Sequence, residues 1–220
     1  MDERKEREPL LSTANVKLLK NPLVHDNPIT VQVLGICSAL AITVKLEPSV
    51  VMALSVVAVL AFSNVIMSLI RNITPPRIRI IVMLTIIATM VILVDQVLKA
   101  FLYDVSKQLS VFVGLIITNC IIMGRLEAFA QANKPWPSFL DGVGNAIGYG
   151  WILIVVGFLR ELLGSGTIWG YDVTHTSYWD LEKAGYVNNG LMILPPAALI
   201  IVGVIIWVQR YRHRDLIEEY

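Results

Sequence analysis

Cysteine is nearly absent from these 220 residues: there are two, Cys37 and Cys120. Two thiols set inside apolar stretches cannot make the disulfide framework of a small secreted domain. Charge is scarce as well. Asp, Glu, Lys and Arg make up 16% of the chain, where a soluble domain carries about a quarter. The formal net charge of +1 offers no basic face for nucleic acid. His25, His175 and His213 are scattered outside the apolar runs, so no imidazole ligand set is expected. Residues 1–27 lack the apolar core of a cleavable signal and read as a polar tail with a short helix on the membrane surface. The glycines of GVGNAIG at 142–148 lack the dinucleotide spacing. Gly144 and Gly148 suit small-xxx-small helix packing instead.

What the chain has in abundance is apolar sequence, 55% of all residues, with a mean hydropathy of +0.66. The runs fall at 29–44, 49–70, 78–98, 109–124, 143–163 and 191–209. A helix needs about 20 residues to cross the hydrocarbon core, so the first and fourth runs are short. The composition predicts an all-α polytopic membrane protein with six transmembrane helices. Six crossings place thirteen of the eighteen Lys and Arg residues on the side of the two termini. The excess of cationic residues on cytoplasmic loops then puts both termini in the cytoplasm. The long loop GSGTIWGYDVTHTSYWDLEKAGYVNNG faces outward.

The spans read short, long, long, short, long, long, and each short one holds a cysteine near its centre. Cys37 and Cys120 stand 83 positions apart (120 − 37). Three crossings per half turn the second half upside down, the pattern of an inverted repeat whose short or broken helices meet near the midplane. The predicted division is a tail at 1–27, a three-helix repeat at 28–98, its inverted counterpart at 99–209 and a tail at 210–220. A single Cys in an apolar helix is ordinarily a small packing residue. A matched pair in the two short helices raises the odds of a site. A bare thiolate inside a bilayer is costly, and a metal offsets that cost by binding the deprotonated sulfur. Thiolate ligands favour an iron–sulfur centre, zinc or Cu(I). A cluster usually takes four Cys, so this chain would supply half the ligands.

VLGICSALAIT, IRNITPPRIRIIV, VILVDQVLKA, YDVSKQLSVFVGLIITNCIIMGRLEAFA, SFLDGVGNAIGYG and GFLRELLGSG closely resemble the D-type membrane subunits of the bacterial Na⁺-translocating NADH:quinone oxidoreductases. The resemblance runs from about Lys17 to Trp207. The E-type component of the Rnf electron-transport complex is a paralogue with similar cysteine segments; DQVLKAFLYDVSKQLSVFVGLIITNC and NGLMILPPAA favour the quinone-reducing branch. The resemblance implies a component of a six-subunit enzyme of the bacterial inner membrane that oxidises NADH, reduces ubiquinone or menaquinone and exports Na⁺. It implies direct pairing with a paralogous E-type subunit of opposite orientation. It also implies an iron–sulfur centre of the [2Fe–2S] kind held by two cysteines from each partner, here Cys37 and Cys120. FAD, FMN and riboflavin are implied only for sister subunits.

Other residues carry two readings each. Asp95 either lines a cation path or pairs with Lys99 at i+4. Asp141, expected at a span start, either gates cation entry or caps the helix. Arg125 and Glu127 are expected to anchor the end of the Cys120 helix, with Arg125 on exposed carbonyls. Neighbouring helical positions do not face each other, so Arg160 and Glu161 should take separate partners. Two other functions compete: a secondary transporter, with Ser38, Thr43, Thr118 and Asn119 as the polar groups near the short helices, and a structural membrane subunit with both cysteines as packing.

Overall fold

The computed structural model describes residues 13–24, 26–101, 114–169, 171–172 and 190–212. The described residues form seven helices and one small two-stranded ribbon. They are α1 (Thr13–Val24), α2 (Ile36–Ile42), α3 (Leu46–Ile70), α4 (Arg79–Phe101), α5 (Cys120–Arg125), α6 (Pro135–Gly164) and α7 (Pro195–Arg212). A single wide helical turn, Leu126–Ala130, extends α5, and a tight turn, Gly190–Ile193, leads into α7. The ribbon pairs β1 (Thr167–Ile168) with β2 (Tyr171–Asp172) antiparallel in what the sequence reads as the outward loop. The remainder of that loop, the three histidines and residues 102–113 lie outside the described residues.

Three helices are long and apolar enough to cross a membrane: Leu46–Ile70, Arg79–Ala100 and Pro135–Gly164. They correspond to the second, third and fifth runs. The fifth begins at Pro135 rather than 143, because prolines at the first helical turn remove no needed N–H. The polar residues at and before the expected start are buried and paired inside the protein: Ser138 and Asp141, like Asn145 one turn on, lie in the core.

The antiparallel pair α3 and α6 forms the centre. Small residues let the two backbones approach. A Cβ on Gly142 would stand 3.1 Å from the Cα of Ala61, one on Gly150 would stand 3.0 Å from the Cβ of Ala53, and one on Gly157 would stand 2.9 Å from Ser49 Oγ. Without a hydrophobic drive between helices in lipid, this close packing is a main source of association. Met52, Val56, Val59, Leu60, Leu153 and Val156 fill the seam, each essentially inaccessible. Asn64 Nδ2 donates to Ser138 O at 3.0 Å, tying one end of α3 to the start of α6. At the opposite end Leu46 N donates to Glu161 Oε2, so a carboxylate caps the start of α3.

The short helix expected in the tail is α1, and it packs on α6. Gly144 leaves room for the backbone of Leu18, whose carbonyl oxygen would lie 2.6 Å from an added Cβ. Gly148 does the same for the Pro22 carbonyl. The packing role expected for these two glycines is what the structure shows.

Candidate functional site: two cysteines at broken helices

Both short apolar runs break at their cysteine. In the first, Asn27 accepts from Ile29 N at 3.0 Å and Thr30 N at 3.3 Å, closing a turn. Val33 (φ 57) and Gly35 (φ 85) then adopt left-handed backbone on either side of Leu34. A β-branched residue there is strained, while glycine is free to adopt it. α2 starts directly after Gly35 and runs only to Ile42. In the second, residues 114–117 are helical, and the extended Asn119 (φ −67, ψ 120) interrupts the path. Asn119 then caps α5 by accepting from Ile121 N. Cys37 and Cys120 therefore sit at helix starts, not at span centres. The correction has a plain cause: a glycine and an asparagine inside an apolar run divide it.

The two starts meet. Gly35 N donates to Cys120 Sγ at 2.9 Å. Cys37 follows Gly35 by two residues, so its Cα lies within about 7 Å of that glycine's. Both thiols are free and exposed on the chain. Beneath them lies a buried polar cluster. Ser38 Oγ donates to Gly35 O at 2.8 Å and lies 2.6 Å from the Tyr149 hydroxyl. Asn119 Nδ2 approaches Ser38 Oγ at 3.4 Å and the Tyr149 hydroxyl at 3.5 Å. The ring of Tyr149 fills the space beside Gly35, where an added Cβ would come within 2.7 Å of Cε2. Ser38 and Asn119 stand out in the sequence as polar groups near the cysteines. Tyr149 does not, because its partner Ser38 is 111 positions away.

No cluster of three or more His, Cys, Asp or Glu stands together among the described residues. The two thiols are a partial donor set that fits a thiolate-ligated metal only when a second protein surface completes it.

The remaining candidates are paired within the chain. Asp95 Oδ2 meets Lys99 Nζ at 2.6 Å. Asp141 lies within α6 rather than at its start, so it caps nothing. It is 2% exposed and receives both Nε (3.1 Å to Oδ2) and Nη2 of Arg125, with Asn145 Nδ2 on Oδ1 at 3.0 Å. Arg125 thus binds a carboxylate, not the carbonyls expected, because α5 continues past it into a further turn that uses them. Glu127 pairs with Arg79 at 2.6 Å. A polar cavity of about 290 Å³ opens beside Asp141, lined by Asn21, Asp26, Gln32, Arg125 and Asn145 among others.

Arg160 and Glu161 do take separate partners. Arg160 is 1% exposed and spends all five N–H donors on Leu40 O, Thr43 Oγ1, Met192 O, Ile193 O and Leu194 O. It fastens the end of α2 to the turn before α7.

Comparison with known proteins agrees with this architecture. The family described as "Rnf-Nqr subunit, membrane protein" matches residues 15–206. The D subunit of the Na(+)-translocating NADH-quinone reductase of Shewanella sp. (strain ANA-3) is 54% identical over 202 residues, covering 92% of this chain and 95% of the relative. The same-named protein of Shewanella baltica (strain OS155 / ATCC BAA-1091) is 54% identical over 203 residues, with the same coverage. That of Shewanella sp. (strain W3-18-1) is 53% identical over 202 residues, again 92% of this chain and 95% of the relative. A helical membrane protein with apolar spans, matched along nearly its whole length, this chain belongs to the Rnf–Nqr family of membrane subunits.

Proposed function

We propose that the chain is the D-type membrane subunit of a Na⁺-translocating NADH:quinone oxidoreductase and relays electrons across the bacterial inner membrane through an iron–sulfur centre shared with a paralogous E-type subunit. The single observation that carries this reading is the meeting of the two broken helices, with Gly35 N on Cys120 Sγ and both thiols turned to the surface. Cys37 and Cys120 supply two thiolates; a cluster of four needs two more, and an exposed pair invites a partner that brings them. An iron–sulfur centre would supply one-electron transfer at that depth. The chain's own residues hold the sulfurs in place: Gly35 and Asn119 turn the backbone at each helix start, and Arg160 ties down the far end of α2.

In this reading the described helices belong to two inverted three-helix repeats, with both termini cytoplasmic, and NADH and quinone react on sister subunits. The cavity beside Asp141 is the better candidate for a Na⁺ path, since Asp95 is matched with Lys99 at i+4. Cys37→Ala in the purified complex tests the assignment. Iron at this site and NADH-driven quinone reduction should be lost together. Retention of both is the scaffold result; a transporter would keep its flux without iron.

A further inference from the structure

Donor counting gives the buried cluster beneath the cysteines a direction. A serine hydroxyl has one hydrogen and two acceptor sites. That of Ser38 goes to Gly35 O at 2.8 Å, so across the 2.6 Å contact the Tyr149 hydroxyl must donate to Ser38. Asn119 Nδ2 donates to the second acceptor site of Ser38 at 3.4 Å. The Gly35 residue is therefore held at both ends: its carbonyl accepts from Ser38 Oγ at 2.8 Å and, more loosely, from Ala39 N at 3.2 Å, and its N–H donates to Cys120 Sγ. Tyr149, Ser38 and Asn119 are 0%, 3% and 4% exposed, and the low dielectric of a buried site strengthens the bonds among them.

The three residues come from three places in the fold: Ser38 from α2, Asn119 from the start of α5 and Tyr149 from the middle of α6. α6 belongs to the central pair, so its ring is the fixed point against which two short helices are set. Seven and six residues cannot hold themselves in place as helices.

We propose that Tyr149 is a positioning residue for the cysteine centre: through Ser38 it fixes the Gly35 carbonyl, and so steadies the residue whose N–H, on the preceding peptide unit, donates to the Cys120 sulfur. This rests on the iron–sulfur reading for its redox consequence, though not for its structural one. Hydrogen bonds to cluster sulfurs raise the reduction potential by favouring the more negative, reduced form. Tyr149 works through Gly35 and touches no cluster ligand itself.

The test uses Tyr149→Phe in the complete complex, which keeps the ring against Gly35 and removes only the hydroxyl. Iron content should hold at the wild-type level while the midpoint potential of the centre moves negative. Ser38→Ala should move it the same way, and the double variant should move it no further than the larger single change, since both act on one chain of bonds. Hydrogen–deuterium exchange of the peptide spanning 34–40 gives a readout that needs no iron; it should speed roughly tenfold, the effect of losing one buried hydrogen bond. Unchanged exchange and unchanged potential in both variants overturn the proposal. Should wild-type complex hold no iron at these cysteines while exchange still speeds, the positioning role stands and the iron–sulfur assignment falls. If Tyr149→Phe fails to assemble, Ser38→Ala is read by the same two measurements.

Discussion

Replacing Arg160 should reveal how α2 is anchored. Its guanidinium is buried, meets no carboxylate among the described residues, and makes five hydrogen bonds, four of them to carbonyls of Leu40, Met192, Ile193 and Leu194. Arg160→Met removes all five. Of the four carbonyls that lose their Arg160 donor, Leu194 O keeps a bond from Ala197 N. An unsatisfied buried carbonyl costs about 1–3 kcal/mol; allowing for relaxation, the substitution should cost about 3–5 kcal/mol. Arg160→Lys retains the charge but has three donors in place of five, and should cost about 2 kcal/mol. For a chain of this size a loss of 1 kcal/mol lowers the melting temperature by roughly 2–4 °C. Thermal unfolding of the detergent-solubilised complex should therefore fall by roughly 10 °C for Met and by about half that for Lys. Because α2 carries Cys37, the proposed iron–sulfur centre predicts that iron retention should fall in the same order. Equal stability of wild type and Arg160→Met would refute the anchoring argument. So would a Lys variant as damaged as the Met variant, since that would assign the effect to shape and not to donor number.

Arg125→Met and Asp141→Leu should each cost about 3–5 kcal/mol by stranding the other's buried charge, while the double variant should recover much of the loss; thermal unfolding of all four forms closes the cycle. Gly148→Leu puts a side chain where the Pro22 carbonyl lies, so α1 must leave α6. Limited proteolysis between α1 and α2 should accelerate several-fold, with a stability loss of about 1–3 kcal/mol.

Much of the fold was legible because lipid imposes a length on its helices. The second, third and fifth runs became α3, α4 and α6, and only their ends moved. The cysteines were legible as a pair because each interrupts a run too short to span. What could not be read was the manner of the interruption. Gly35 inside VLGICSALAIT looks like any tolerated helical glycine; only its φ of 85 shows the turn. The start of α6 was missed because Lys134, Ser138 and Asp141 dilute the apolar pattern before 143, and the partners of Ser138 and Asp141 lie elsewhere in the chain. Arg160 was legible as a cation near the end of the fifth span with a partner apart from that of Glu161, but four of its partners are main-chain carbonyls, which every residue possesses and no sequence pattern distinguishes. Tyr149 was invisible for a related reason: its meaning depends on Ser38, brought alongside only by the packing of α2 on α6.

The outward-turned sulfurs also bear on how cells must make this protein. Under the proposed pairing, a copy synthesised ahead of its partner leaves Cys37 and Cys120 exposed, and exposed thiols are where oxidants act first. That pairing would require the supply of the two chains to be matched, and surplus copies are the ones that quality control should find damaged.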